Sequence, residues 1–444
     1  MVKEAMFYTE QPREKALLIG VDRENSGWSL EESLAELERL TLTDGADVVG
    51  SISQRLKSIN PKTFIGSGKL AEVSTLITAM DVDVVIFDDE LSPSQQSNLE
   101  RELGKARKGL KVIDRTALIL DIFALHAKSR EGRLQIRLAQ SQYILPRLRG
   151  MWQHLASNRM GGGVGSRFGE GESQLEVDRR IVRKRIDSIR HELGKLRRER
   201  STQRSARLGS GIFKVALAGY TNSGKSTLLN LLTDADVLAE DQLFATLDAT
   251  TRRITLPDGR EATLTDTVGF IQKLPTTLVE AFRSTLDEIS EADLILHIVD
   301  ASSEQRDKQI EAVWEVLEQI GAHQIPQALV YNKCDLLDAG ARTALSRSRP
   351  DSIMVSAQTG SGIQGLLKRI EAVANASSIL IDVLIPYDQG ALVHLAHDRT
   401  AIISEQFTSD GTALQLRVPS VLLSRFAPYS NKPVESQPES QAVT

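Results

Sequence analysis

Gly219-Tyr-Thr-Asn-Ser-Gly224-Lys225-Ser226 follows the apolar run Phe213–Ala218 and precedes Thr227-Leu-Leu-Asn, where a helical pattern begins. A strand, a glycine turn and a helix in that order make a phosphate-binding loop and place it in an α/β fold. The glycines let backbone amides turn inward around a β-phosphate, and the helix N-terminus adds partial positive charge. Gly219, Tyr220, Thr221, Asn222, Ser223, Gly224, Lys225, Ser226 and Thr227 are therefore the expected phosphate-side residues. Lys225 would reach the β- and γ-phosphates, and the Ser226 hydroxyl would bind Mg²⁺.

Two stretches further along identify the nucleotide. The strand pattern Glu261–Thr265 ends in Asp266-Thr267-Val268-Gly269. A carboxylate there can hold the Mg²⁺ shell, and the Gly269 amide can approach a γ-phosphate. The strand pattern Ala328–Tyr331 ends in Asn332-Lys333-Cys334-Asp335. An acidic side chain at that point can accept hydrogen bonds from N1–H and the exocyclic amine of guanine, neither of which adenine offers. Each string alone is weak. In this order, each after a strand, they describe a GTP site.

These strings, with Phe244-Ala245-Thr246-Leu247-Asp248, are similar to those of the HflX family of ribosome-associated GTPases, within the translation-factor class. The resemblance spans the chain. It implies an N-terminal α/β domain (1–127) containing Asn60-Pro-Lys-Thr-Phe-Ile-Gly-Ser-Gly-Lys69, then a basic helical hairpin with a glycine loop (128–211). A P-loop GTPase domain (212–375), a small C-terminal α+β domain (376–428) and a disordered tail (429–444) follow. By that resemblance Thr246 is the switch threonine that binds Mg²⁺ and senses the γ-phosphate; spacing alone leaves Thr250 and Thr251 open. Ser356-Ala357-Gln358 matches the last guanine-contacting loop. Lys225, Thr246 and Gly269 are then the catalytic set, with Ser226 and Thr246 the metal ligands. The implied role is binding the large ribosomal subunit and splitting stalled or stress-idled ribosomes. Rival roles are RNA unwinding, RNA modification, or a protein-signalling switch without RNA contact.

Hydrolysis looks incomplete. Many GTPases carry a glutamine directly after the D-x-x-G string to orient water. This chain has Phe270 and Ile271, which cannot hydrogen-bond water, so unaided turnover should be slow. Asn222 is a candidate K⁺ ligand by analogy with GTPases lacking that glutamine; equally, it can simply stabilise the loop's turn.

Upstream, strand patterns at Ala16–Val21, Ala46–Ile52, Val84–Phe87 and Leu110–Ile113 alternate with helical ones at Leu30–Leu40 and Pro93–Leu103, predicting a parallel sheet. Ile65-Gly-Ser-Gly-Lys-Leu70 is half of a second phosphate loop. Thr63 stands where its first glycine belongs and Leu70 replaces the Mg²⁺-binding hydroxyl, so it reads as a glycine turn before a helix. Leu134, Leu138, Leu145 and Leu148 mark one helical stripe; Val182, Ile186, Ile189, Leu193 and Leu196 mark another. They predict an antiparallel hairpin whose arms are separated by Ser157–Gly171, too rich in glycine to be helical. Arg159, Arg167 and Phe168 in that stretch suit an RNA pocket. Beyond the GTPase domain, strands are expected at Leu380–Ile385, Ala401–Phe407 and Thr412–Val418, with a helix at Gly390–His397.

Composition narrows the classes. The 444 residues include 54 Lys and Arg against 59 Asp and Glu, for a net charge of -5. Residues 128–207 hold 20 Lys and Arg against 8 Asp and Glu. That block is basic inside an acidic chain, as contact with a phosphate backbone requires. The single cysteine, Cys334, rules out a disulfide framework. No apolar run is long enough to span a bilayer, and the seven histidines form no ligand cluster. The expectation is a cytoplasmic monomer, part of it peripheral at a membrane.

Overall fold

The computed structural model describes residues 13–23, 27–158, 168–208, 211–233, 244, 249–273, 275 and 283–430. They form two compact units. The first comprises Met1–Leu193, Gln242–Phe244 and Gln272–Phe282; the second comprises Gly194–Asp241, Ala245–Ile271 and Arg283–Thr444.

In the first unit, β1 (Lys15–Asp22), β2 (Asp47–Arg55), β3 (Val84–Phe87) and β4 (Lys111–Asp114) make a parallel sheet in the order β2-β1-β3-β4. All four residues of β3 are buried, as expected of a parallel strand covered on both faces. The helices are α1 (Leu30–Thr43), α2 (Ser67–Met80), α3 (Pro93–Leu103) and α4 (Arg115–His126). Ser29 with Glu32, and Ser92 with Gln95, close capping boxes at α1 and α3. Each cap satisfies two backbone donors that would otherwise lack partners. Leu99 and Leu103 of α3, Val73 and Ile77 of α2, and Val85 and Phe87 of β3 share one core, each such burial being worth about 1.5–3 kcal/mol.

The hairpin arms are α5 (Arg130–Asn158) and α6 (Phe168–Leu208). In α6, Ile186, Ile189 and Leu193 are buried, while Val182 and Leu196 are half-buried. Among the described residues of α5 the buried apolar positions are Leu134, Ile136, Ala139 and Leu148 rather than the leucine stripe alone, because α5 also packs on α3 and α4. The helices are longer than glycine content suggested. Ser157 and Asn158 end α5, and Phe168–Gly171 lie inside α6, so the expectation of a non-helical stretch from 157 to 171 fails at both ends. Cooperative extension from long helical arms outweighs the roughly 1 kcal/mol per glycine. Arg159 and Arg167 lie outside the described residues.

The second unit contains β5 (Phe213–Gly219), α7 (Lys225–Thr233), β6 (Thr250–Thr255), β7 (Glu261–Asp266), α8 (Arg283–Ser290), β8 (Leu294–Asp300), α9 (Arg306–Gln319), β9 (Gln327–Asn332), α10 (Ala339–Ser348), β10 (Ile353–Met354) and α11 (Ile363–Ala376). The six strands run in the order β10-β9-β8-β5-β7-β6, all parallel except β6, which is antiparallel to β7. β6 went unrecognised in the sequence because its outer residues are polar and largely exposed. A separate antiparallel sheet follows, β11 (Ser378–Ile385), β13 (Thr412–Pro419) and β12 (Ala401–Phe407), with α12 (Gly390–Arg399). Alternate residues of β13 from Thr412 to Val418 are buried, the period of a strand with one covered face. The fold class is α/β as expected: a P-loop GTPase domain with an N-terminal α/β domain, helical hairpin and small C-terminal α+β domain.

Candidate nucleotide site

Central β5 delivers Gly219 to the carboxyl edge of its sheet, where open α/β sheets bind ligands. An added Cβ at Gly219 would lie 2.2 Å from the Ile298 carbonyl oxygen, so the loop leaves the strand against the β8 backbone. Asn222 sits at φ 60° and Gly224 at φ 90°. Asparagine tolerates this left-handed region better than most residues, a local reason for Asn222 that involves no cation.

Lys225 is buried, its Nζ donating to the carbonyls of Gly219 (3.1 Å) and Tyr220 (2.8 Å). Burial lowers its pKa to about 8, against the opposing pull of the Asp266 carboxylate. The Thr221 and Ser223 hydroxyls are buried and have no partner among the described residues. Buried hydroxyls without partners are costly, and a polar ligand cradled by the loop removes that cost.

The Ser226 hydroxyl donates to Asp266 Oδ2 at 2.6 Å. Two hard oxygen donors this close suit Mg²⁺, so these residues fit the ion expected there. Thr267 donates to the Leu217 carbonyl at 2.6 Å and is fully buried, which makes it a strut between β7 and β5. Phe270 is stitched to the loop: its N–H donates to Gly219, and its carbonyl accepts from the Thr221 amide at 2.7 Å. An added Cβ at Gly269 would meet Thr221 Cα at 2.9 Å, so only glycine allows that approach. Val268 is buried beside it.

At the other end, Asn332 is a junction. Its Nδ2 donates to the Ser223 carbonyl at 2.9 Å, and its Oδ1 accepts from the Ala357 amide at 2.9 Å. One side chain thus ties the phosphate loop to the loops after β9 and β10. Lys333, at φ 61°, pairs with Asp300 at 2.8 Å. The Asp335 Oδ1 atom is buried without a partner among the described residues, an acceptor open to a base. Ser356 is buried and holds its own turn by accepting from Thr359, while Gln358 is exposed.

Most expected residues converge on this edge. Thr227 stands in the first turn of α7. Ala245, Thr246, Leu247 and Asp248 lie outside the described residues, and Phe244 is buried in the first unit. Thr251 stands in β6 with its hydroxyl 2.9 Å from that of Thr265. Asp300 went unnoticed in the sequence, although an acid ending a central strand was the available signal. Also unnoticed was His297, buried on β8 with both ring nitrogens unpartnered among the described residues. Burial depresses its pKa to about 3, keeping it neutral, with Lys225 and Arg349 adding repulsion.

The remaining alternatives recede. In the second glycine turn, the Thr63 hydroxyl donates to the Ile65 carbonyl, and Asn60 Oδ1 accepts from the Lys62 and Thr63 amides. No group of three metal-binding side chains exists among the described residues. His394 lies beside Asp398, and His397 beside Glu405. Among the described residues no helix is long and apolar enough to cross a membrane.

Comparisons with known proteins agree with this geometry. Residues 31–124 match a family described as "GTP-binding GTPase N-terminal", residues 126–207 a "GTP-binding GTPase Middle Region", and residues 214–333 a "50S ribosome-binding GTPase". A GTPase HflX of Caldanaerobacter subterraneus is 44% identical over 417 residues, covering 94% of both chains. That of Alkalihalophilus pseudofirmus is 46% identical, covering 89% of this chain and 90% of its own. That of Escherichia coli K12 is 43% identical, covering 88% and 90%. With a phosphate loop, a D-x-x-G turn and an N-K-x-D turn on one sheet edge, and that identity running nearly end to end, the chain is a GTP-binding, GTP-hydrolysing enzyme that belongs to the HflX family.

Proposed function

We propose that this GTPase docks on the large ribosomal subunit as a monomer, splits stalled or idle ribosomes, and hydrolyses GTP faster when bound there. The observation that carries this reading is one chain holding a nucleotide site and, between residues 128 and 207, 20 basic against 8 acidic side chains. Arg180, Arg183, Lys184, Arg185 and Arg190 are exposed on α6, where they can displace counterions from RNA phosphates. The match to a family described as a 50S ribosome-binding GTPase supports the same partner.

Within the site, Gly219 to Thr227 wrap the phosphates, with Lys225 on the β- and γ-oxygens. Ser226 and Thr246 ligate Mg²⁺, and Asp266 holds its shell. Bound there, Mg²⁺ neutralises charge on the phosphates. Gly269 offers its amide to the γ-phosphate. Asp335 accepts from guanine, with Lys333 and Ser356 to Gln358 framing the base. K⁺ at Asn222 is the remaining assignment, and equal hydrolysis rates in K⁺ and Na⁺ at matched ionic strength would remove it.

Co-sedimentation with purified large subunits tests the docking. Pelleting should require a non-hydrolysable GTP analogue and weaken steeply with salt. Reversing charge at Arg180, Arg183, Lys184 and Arg185 should flatten that salt dependence. Binding that is indifferent to both nucleotide and salt would refute the proposal.

A further inference from the structure

Asp300 ends β8 and stands in register with Asn332 at the end of β9. The Ala301 amide donates to the Asn332 carbonyl at 2.9 Å, so the two strand ends stay zipped where their chains part. The Asp300 carboxylate divides its two oxygens between different tasks. Its Oδ1 accepts from the Ser302 amide at 2.9 Å and the Ser302 hydroxyl at 2.6 Å, which closes the turn after β8. Its Oδ2 takes the Lys333 ammonium at 2.8 Å. The two side chains are 20% and 28% exposed, so water and salt screen this pair less than one on an open surface.

A second carboxylate competes for the same lysine. Asp335 stands two positions after Lys333 in the same short turn. Burial raises the Cys334 thiol pKa, and the charges of Asp335 and Asp300 both add to that rise, so both acids act on this turn. Yet the lysine is bonded to Asp300, while Asp335 Oδ1 stays buried with no partner among the described residues. That asymmetry has a chemical consequence. An ammonium resting on Asp335 would fill the acceptor that guanine N1–H and the exocyclic amine need. The nucleotide would then have to break an ion pair before its base could bind.

We propose that Asp300 is a positioning residue for base recognition: it holds the Lys333 ammonium away from Asp335 and so leaves the Asp335 carboxylate free to accept from guanine. The same hold restrains a long side chain with much rotamer freedom to lose. Less ordering therefore remains to be done when the base arrives. GTP and GDP carry the same base, so both gain equally from the arrangement.

The inference rests on the GTP-site reading, and the test separates the two. Affinities for GDP and a non-hydrolysable GTP analogue, both fluorescently labelled, are measured on the full chain around a double-mutant cycle. Asp300→Asn keeps an oxygen for the Ser302 turn but gives up the charge that holds the lysine. It should weaken both nucleotides by about fivefold. Lys333→Met keeps an apolar stem and removes the competing head, and in that background Asp300→Asn should cost nothing further. A purely structural Asp300 would weaken binding by the same factor in both backgrounds, and that additivity would overturn the proposal. Parent-like binding in Asp300→Asn, or a loss confined to one nucleotide, would overturn it as well while leaving the GTP site standing. A parent protein that binds neither nucleotide would instead defeat the GTP-site reading itself.

Discussion

Two glycine-lysine turns in this chain look alike on paper and differ in space. Ile65-Gly-Ser-Gly-Lys-Leu70 opens α2, and Gly219–Ser226 opens α7. The first hangs from β2, an edge strand, and a bridge between Asn60 and Phe64 closes it on itself. Its lysine, Lys69, lies on the helix surface paired with Glu72. The second leaves the interior strand β5, and its lysine folds back into the loop. The Thr221 and Ser223 hydroxyls are buried without partners among the described residues, while the side chains of Asp266 and Asn332 bond to the loop. Phosphate-binding capacity therefore resides less in the glycines than in where the preceding strand stands.

Removing the lysines should give the largest contrast. Lys225→Ala takes the buried cation from a polyphosphate site and should weaken GTP binding roughly 100- to 1,000-fold. Lys69→Ala removes a partly exposed i,i+3 pair and should change it by less than about twofold. Titration with a fluorescent nucleotide compares them, and similar losses in both would erase the distinction between the turns.

Among the described residues, the second turn is tied through Asn332 to the loop carrying Asp335, the proposed base reader. Asp335→Asn turns an acceptor into a donor facing guanine N1–H. GTP affinity should fall roughly 10- to 100-fold, with a shift toward xanthine nucleotides. Competition between GTP and XTP measures it; an unaltered preference would take Asp335 out of the base-reading role.

Backbone geometry offers the next contrast. At Gly224, φ is 90° and a Cβ would lie 2.2 Å from Asn332 Nδ2. Gly224→Ala should destabilise the fold by about 2 kcal/mol, seen as a lower Tm, and cripple nucleotide binding.

The buried lysine also predicts a pH effect confined to the second turn. Its pKa of about 8 without ligand must rise when phosphate oxygens surround it. Nucleotide binding should therefore take up a proton above pH 8, and affinity should fall about tenfold between pH 7 and 9. Calorimetry in buffers of different ionisation enthalpy reads the proton directly. No uptake at pH 8.5 would mean Lys225 is already fully protonated.

The smallest effect has the opposite sign. An added Cβ at Gly68 meets nothing within 4 Å, and the residue is already helical in α2. Gly68→Ala should stabilise the protein by about 0.5–1 kcal/mol without touching nucleotide affinity. A loss of affinity there would show that the first turn also serves the site.

Much of this was legible in one dimension because the underlying causes are local. Val84–Phe87 and Pro93–Leu103 fall where the apolar run and the Ser92 cap place them. Gly224, Lys225 and Ser226 sit where their spacing on a strand–turn–helix unit puts them. Helix ends were less legible, since capping and glycine costs near 157–171 are small against the cooperative extension of long arms. β6 was missed because an edge strand needs no continuous apolar run.

The sequence by itself determined the α/β class, the family and the identity of the nucleotide, because each depends on short-range patterns: strand periodicity, glycine placement, one acid at the end of one strand. Tertiary structure alone decided which glycine turn faces an interior sheet edge, that Asn332 bridges three loops, and that Lys273 reaches Asp88 across 185 positions of chain. Contacts of that separation leave no period to read. They exist only once the sheets have formed and burial has made a lone charge too costly to leave unpaired.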